Sequence, residues 1–292
     1  MTRPLLVFGG EGQVARELAA IGLEHGWTVT RIGRAQADLS TAEIAPLLAQ
    51  HRPALVVNAA AYTAVDKAEG EETAARALNA DLPGRAARAC AEAGVPFVHI
   101  STDYVFDGSN PEPYVETDPI APLGVYGRSK AEGEAAVAEA GGHAAVVRTA
   151  WVYGAEGANF VRTMLRLAET REELGVVGDQ HGCPTWSREV AEACLRLGDR
   201  LCAVDAEAQG VFHAAGAGET SWAGFAEAVF AESAKRGGPS AHVKPITTAD
   251  YPTPAARPAN SRLDCAKLER VTRWRPAPWR DSLSKVMDRL LA

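Results

Sequence analysis

Short apolar runs alternate along the chain with longer stretches whose apolar positions recur at helical spacing. The runs "PLLVF" (4–8), "TVTRI" (28–32), "ALVVN" (54–58), "PFVHIS" (96–101) and "AAVVRT" (144–149) predict buried strands. The intervening stretches 13–25, 41–51, 71–93 and 126–140 are rich in Ala, Leu and Glu and predict helices. Strand followed by helix, repeated, requires parallel strands joined by crossover helices. The expected fold is therefore a doubly wound α/β domain with a parallel sheet.

The rhythm loosens after residue 150. The pattern there predicts helices at 158–172, 187–202, 221–236 and 279–291, with strands at 174–178 and 210–215. The stretch "YPTPAARPANSR" (251–262) carries too much proline for a ladder and predicts an extended surface crossing. The expected division is a cofactor domain over 1–150 with a return segment near 187–216. Residues 151–292 then form mainly a smaller C-terminal α/β substrate lobe that closes a cleft.

Composition narrows the function. An apolar content of 47% and a charged content of 23% are those of an ordinary globular protein. A net charge of -7, without any Lys/Arg run, argues against nucleic acid or an anionic membrane as partner. No apolar run approaches the ~20 residues of a membrane span, and "MTRPLLVFGG" is too short in apolar residues for a signal peptide. The five cysteines (90, 183, 194, 202, 265) lack CxxC spacing and fit reduced thiols in the cytoplasm.

Candidate chemistry begins at "VFGGEGQVA" (7–15), where Gly9-x-x-Gly12-x-x-Ala15 joins the first strand to the first helix. Glycines there permit a tight turn and let backbone N–H groups approach a pyrophosphate at the helix start. This makes the first domain an NAD(P)-binding Rossmann domain. Where an NAD site commonly has an acid at the end of the second strand, this chain has Arg31 and Arg34. Guanidinium groups suit a 2′-phosphate, so NADPH is favoured, with NADH the alternative. Asp38 comes later and is expected beside the adenine.

In "YGRSK" (126–130), Tyr126 and Lys130 stand four positions apart and share one helix face. Six stretches then appear in order: "GGEGQVA", "VVNAAAYTAVDKAE", "ISTDYVFDG", "YGRSK", "VRTAWVYG" and "DQHGCPT", followed by a late "ARPANSRLD". Together they resemble the dTDP-4-dehydrorhamnose reductases, extended short-chain dehydrogenase/reductases, over nearly the whole chain. Glu11, where the family usually has a small or hydroxyl residue, and Ala15, in place of a common glycine, depart from its pattern. Glu11 is expected to face solvent.

The resemblance implies NADPH-dependent reduction of the 4-keto group of a dTDP-sugar, dTDP-4-dehydro-L-rhamnose, for dTDP-rhamnose biosynthesis. It makes Tyr126 the proton donor, its pKa pulled down by Lys130, which also holds the nicotinamide ribose. Thr102 orients the substrate oxygen. Gly9, Gly12, Gln13, Val14, Arg34, Asp38, Leu39, Ala59, Ala60 and Ala61 complete the implied cofactor site. Asp103, Trp151, Asn159 and Thr185 are implied on the substrate. The family also implies a homodimer as one assembly and Mg2+ on glutamates at a subunit contact. Glu17 and Glu189 stand at suitable places for that ion, but the terminal helix "SKVMDRLLA" shows no clear third partner, and no metal is assigned.

Two alternatives stay open at this point. One is another nucleotide-sugar reductase, epimerase or dehydratase of the superfamily. The other is a non-catalytic regulatory subunit of the methionine adenosyltransferase type.

Overall fold

In the computed structural model, which describes residues 2–291, the first strand is β1 (Arg3–Phe8) and four more alternate with helices: β2 (Trp27–Ile32), β3 (Leu55–Asn58), β4 (Phe97–Thr102) and β5 (Ala144–Thr149). They pair in the order β2-β1-β3-β4-β5, every pair parallel. A sixth strand, Gly210–His213, returns from late in the chain and pairs parallel with β5.

Side-chain alternation divides β1 between two cores. Leu5 and Val7 face the helices Gln13–Ile21 and Ser187–Cys202, in a cluster with Leu55, Val57, Val98 and Val147. Leu6 and Phe8 face the opposite side, in a cluster with Val56, Phe97, Leu48 and Leu82. Both sheet faces are covered, which is why the inner strands read as near-continuous apolar runs; β2, expected to be buried, is an edge strand that keeps only Trp27 and Ile32 buried. A third core, with Tyr153, Val161, Phe225, Val229 and Leu283, belongs to the later lobe. It lies among the helices Phe160–Ala168, Trp222–Lys235 and Trp279–Leu291 and the parallel pair Glu173–Val177 and His242–Ile246.

Some element bounds differ from expectation for identifiable reasons. The stretch expected as one helix over 71–93 is two α-helical segments, Glu72–Arg76 and Leu82–Glu92, joined by a π turn at Ala77–Asp81. Pro83 has no N–H for the Asn79 carbonyl, and the register widens there. The freed backbone lets a second helix close in: a Cβ at Gly133 would lie 2.0 Å from that carbonyl oxygen. Strand His242–Ile246 and helix Ala266–Thr272 were not expected, the first because Pro245 breaks its pattern. Of the stretch 251–262, residues 251–259 carry no helix or strand, as their prolines require, but past the last proline Asn260–Ser261 pairs in parallel with His181–Gly182, a ladder that was not expected. Arg257 fastens this stretch to the first domain through Asp66, at 2.8 Å.

Candidate active site

The switch in strand order falls between β1 and β3, where open α/β sheets bind ligands beyond their strand ends. Gly9 turns the chain out of β1 with φ +100, and a Cβ there would lie 2.7 Å from the Ala60 amide nitrogen. Only glycine fits. Gly12 is different. Its φ is −68, and a Cβ would meet no protein atom nearer than 3.7 Å. The bare position keeps space over the start of helix Gln13–Ile21, which has no side-chain cap. Free N–H groups at an uncapped helix start suit a pyrophosphate, so the loop fits a dinucleotide. Glu11 does turn outward, its side chain 78% exposed and paired with Arg16.

A cavity of about 950 Å³ runs from this loop past Arg34, Asp38, Leu39 and Ala60. A second, of about 630 Å³, holds Gln13, Val14, Thr102, Tyr126 and Lys130. The two share Glu11, Gly12, Ala59 and Ala61, and form one cleft. Of the two arginines considered for a 2′-phosphate, only Arg34 lines it. Arg31 is already committed, its Nη1 donating to the Gly10 carbonyl at 2.7 Å. Asp38 accepts from the Ser40 hydroxyl at 2.6 Å and the Ser40 amide at 3.0 Å, and these bonds hold its pKa below the usual value.

The inner cavity brings Thr102, Asp103, Tyr126 and Lys130 together at the end of β4 and the start of helix Val125–Ala140. Tyr126 is half-buried and meets the edge of Tyr104 at 5.4 Å between ring centres. Desolvation pushes its phenol up to about 12; the Thr102 hydroxyl opposes the rise and Asp103 adds to it. The expected lowering of this phenol by Lys130 is therefore not what the structure gives. Lys130 is fully buried and its Nζ donates to the Ile100 carbonyl at 2.6 Å. Burial lowers it to about 8, against the field of Glu134.

Asp103 accepts from the Thr102 hydroxyl at 3.0 Å, and its Oδ2 is buried without a hydrogen-bond partner among the described residues. Desolvation raises it to about 6, partly offset by the Ser261 and Thr102 hydroxyls. Thr149, which stands opposite Thr102 across the β4–β5 ladder, also has a buried hydroxyl without a partner. It lines the same cavity. Sequence reasoning missed it, although a threonine at the end of the adjacent strand was a usable signal.

Beneath the site, Arg148 and Glu134 form a buried pair with contacts of 2.7 and 2.9 Å. Asn79, in the π turn, binds the Tyr62 amide at 2.8 Å and the Ser129 hydroxyl at 3.1 Å. It ties the cleft loop to the helix that carries Tyr126.

Toward the lobe, Trp151 adopts φ 49, a conformation L-residues rarely hold. Its ring stacks on Trp222 at 3.6 Å and 11°. Gly182 makes room for it, since a Cβ there would come within 2.4 Å of the indole. Both tryptophans line the inner cavity, and Trp222 also lines a lobe pocket of about 410 Å³ with Phe160, Arg171, Gln180, Tyr251 and Arg257. Trp222 was not foreseen; nothing in its local sequence sets it apart.

Two expected substrate residues are used elsewhere. Asn159 caps helix Phe160–Ala168, accepting from the Arg162 amide at 3.2 Å. Its amide donates to the Gly154 carbonyl at 2.9 Å and to Gln13 at 3.1 Å. Thr185 is fully buried, its hydroxyl donating to the Cys183 carbonyl at 2.9 Å and accepting from the Gly216 amide at 3.1 Å. Both spend their donor hydrogens on the protein itself, and neither lines the inner cavity.

Glu17 and Glu189 each keep one buried oxygen without a hydrogen-bond partner among the described residues, but one chain does not assemble a magnesium site from them. Glu17 already meets a cation, Arg289, at 2.7 Å. Glu189 accepts from Ser282 and Ala277 and is shifted upward by burial, toward the protonated form. Among the described residues, no group of three or more His, Cys, Asp or Glu side chains could hold a metal.

An open parallel sheet, a glycine loop at its switch point and a cavity at the strand ends that holds a Tyr-x-x-x-Lys pair define an NAD(P)-dependent oxidoreductase of the short-chain dehydrogenase/reductase class. The chain belongs to the family described as the RmlD substrate binding domain, whose model matches residues 2–292. A dTDP-4-dehydrorhamnose reductase of Sinorhizobium fredii is 46% identical over 289 residues, covering 98% of this chain and 97% of the relative. The Escherichia coli protein of that name is 39% identical over 293 residues, with 98% and 97% covered. A dTDP-4-dehydrorhamnose reductase from Clostridium acetobutylicum superposes with a TM-score of 0.92 at 36% identity, covering 99% of this chain and 100% of its own. One from Bacillus anthracis, solved in complex with NADP, gives 0.90 at 31% identity, with 99% of each chain covered.

Proposed function

We propose that this chain is the NADPH-dependent reductase that converts dTDP-4-dehydro-L-rhamnose to dTDP-L-rhamnose. The observation that carries the reading is one cleft, with a dinucleotide loop at one end and Thr102, Tyr126 and Lys130 at the other. Full-length similarity to reductases of that name, one of them solved with NADP, supports it.

Gly9, Gly12, Gln13, Val14, Ala59, Ala60 and Ala61 hold the cofactor along the cleft, with Asp38 and Leu39 near the adenine and Arg34 on the 2′-phosphate. The nicotinamide, when bound, supplies the hydride. A carbonyl carbon that gains hydride leaves an alkoxide, and Tyr126 donates the proton. A phenol pushed up to about 12 stays protonated at neutral pH, and an alkoxide is more basic still, so the transfer runs downhill. Thr149 offers a hydroxyl to the substrate oxygen, and Thr102 does so when its hydroxyl turns away from Asp103. Asp103 accepts from a sugar hydroxyl through its free Oδ2, and the Trp151–Trp222 stack covers the apolar face of the 6-deoxysugar. The nucleotide extends into the lobe pocket beyond Trp222, where Arg171 and Arg257 are the cations.

In this reading residues 1–150, with the return near 187–216, form the cofactor domain and 151–292 mainly the substrate lobe. Free cysteines favour the cytoplasm, and no helix of the described residues is long and apolar enough to cross a membrane. The test is NADPH oxidation by the purified chain alone. Stoichiometric oxidation with dTDP-4-dehydro-L-rhamnose supports the assignment, and none with that ketosugar rejects it.

A further inference from the structure

His99 lies on β4 directly behind the site, fully buried, and no step above uses it. Its hydrogen bonds determine where its proton sits. The Ala60 amide donates to Asn58 Oδ1 at 3.2 Å, which fixes the orientation of that side-chain amide. Asn58 Nδ2 is therefore the group facing His99 Nδ1 at 3.1 Å. An NH₂ group can only donate, so Nδ1 must accept and carries no proton. Burial holds the imidazole well below its ordinary pKa, so the ring is neutral. A neutral ring with a bare Nδ1 carries its proton on Nε2.

That Nε2–H points at Lys130 Nζ, 3.3 Å away. An ammonium there would set one donor against another, with Lys130 almost wholly buried at the inner edge of the cleft. An uncharged amine instead offers Nε2–H a lone pair while still donating to the Ile100 carbonyl at 2.6 Å. Other groups do not cancel this opposition. Glu134, one turn along the same helix, favours the ammonium, but its carboxylate is tied by Arg148 of β5. Asn58 of β3 is uncharged. At the cleft end stand Tyr126, on the lysine's own helix, and Asp103 just past β4.

We propose that His99 is a positioning residue for the reduction: locked by Asn58 as the neutral Nε2–H tautomer, it opposes the ammonium form of Lys130 and keeps that side chain poised between its two protonation states. The function of a poised lysine rests on the reductase reading; the tautomer and the lysine titration do not. A lysine near its exchange point can pass a proton to the Tyr126 phenolate left by each turnover and regain one from water in the open cleft, which an ordinary lysine, with its higher pKa, does less readily.

The test is NMR of isotope-labelled histidine and lysine in the whole protein. Wild type should show His99 as the Nε2–H tautomer, without titration between about pH 5 and 8, and Lys130 losing its proton near 8. In His99→Gln the amide can turn its oxygen to Lys130, and the titration should rise by about one unit, a tenfold shift toward ammonium. The alkaline limb of kcat should move with it while KM for NADPH changes little. An Nδ1–H tautomer in wild type, or an unchanged Lys130 titration in a folded His99→Gln, overturns the proposal. Should that variant not fold, the wild-type tautomer decides alone. Failure of the chain to reduce the ketosugar would leave both NMR results standing.

Discussion

Loss of Trp151 should separate sugar binding from nucleotide binding. Its indole stacks on Trp222 at 3.6 Å, abuts Gly182 and lines the inner cavity, with part of its surface open. Trp151→Ala removes an aromatic pair worth ~0.5–1.5 kcal/mol beyond its buried area. A fully buried Trp→Ala costs ~3–5 kcal/mol; a half-buried one should cost about 2. At roughly 2–4 °C per kcal/mol for a domain approaching this size, Tm should fall by roughly 4–8 °C, leaving the fold intact. On the substrate, one lost aromatic contact of ~1.4 kcal/mol is about tenfold in affinity. Misplacing the ketone by ~1 Å can cost a further ~10²-fold in kcat. Steady-state kinetics with the ketosugar, beside calorimetric titration of dTDP, should show KM raised and kcat lowered while dTDP binds nearly as before. An equal loss of affinity for dTDP and the ketosugar would refute the placement and assign Trp151 to the structural core.

Further outcomes follow from the cofactor loop and from the titrating groups. Arg34→Ala should weaken NADPH by about tenfold or more and leave NADH almost unchanged, whereas Arg31→Ala should loosen the Gly10 turn and weaken both; fluorescence titration of each cofactor distinguishes them. Gly12→Ala meets no protein atom within 3.7 Å, so Tm should hold while NADPH affinity falls. Gly9→Ala, at φ +100 and 2.7 Å from Ala60, should lower stability by at least ~1–2 kcal/mol, read by urea unfolding. The pH profile of kcat/KM should be a bell: it rises as Asp103 ionises near 6 and falls as Lys130 loses its proton near 8. The sign for stability is opposite to that of a stabilising ion pair. Lys130 binds its proton more weakly folded than unfolded, so its contribution increases with pH from about 8 to the ordinary lysine value near ~10.4. A profile flat through pH 8 would remove the lysine from the rate-limiting proton balance.

Strands buried on both faces were legible because each lies in a continuous apolar run, and Gly9 because only a φ-positive turn needs it there. The spacing of Tyr126 and Lys130 put both on one helix face, but it took the family resemblance to read the pair, with Thr102 at a strand end, as a candidate catalytic set. Other features depend on contacts between distant segments. The π turn at Ala77–Asp81 follows from one missing N–H at Pro83, inside a stretch otherwise helical in composition. Arg31 and Arg34 look equivalent in sequence; only the fold shows that one grips a backbone carbonyl. Thr185 and Asn159 carry substrate-like groups that turn inward to bind backbone. Trp222 meets Trp151 across 71 positions of sequence, a pairing that no local pattern encodes. The phenol's raised pKa is likewise a property of burial, opposite in direction to what the Tyr–Lys spacing suggests.

The central claim is that Tyr126 protonates a ketone reduced by NADPH. Single-turnover reduction of dTDP-4-dehydro-L-rhamnose by the wild type and by Tyr126→Phe tests it most directly, because the variant keeps the ring and removes only the proton. The expected result is a rate lowered by roughly 10²–10⁴ with the Kd for NADPH unchanged. A near-normal rate in Tyr126→Phe would contradict the mechanism.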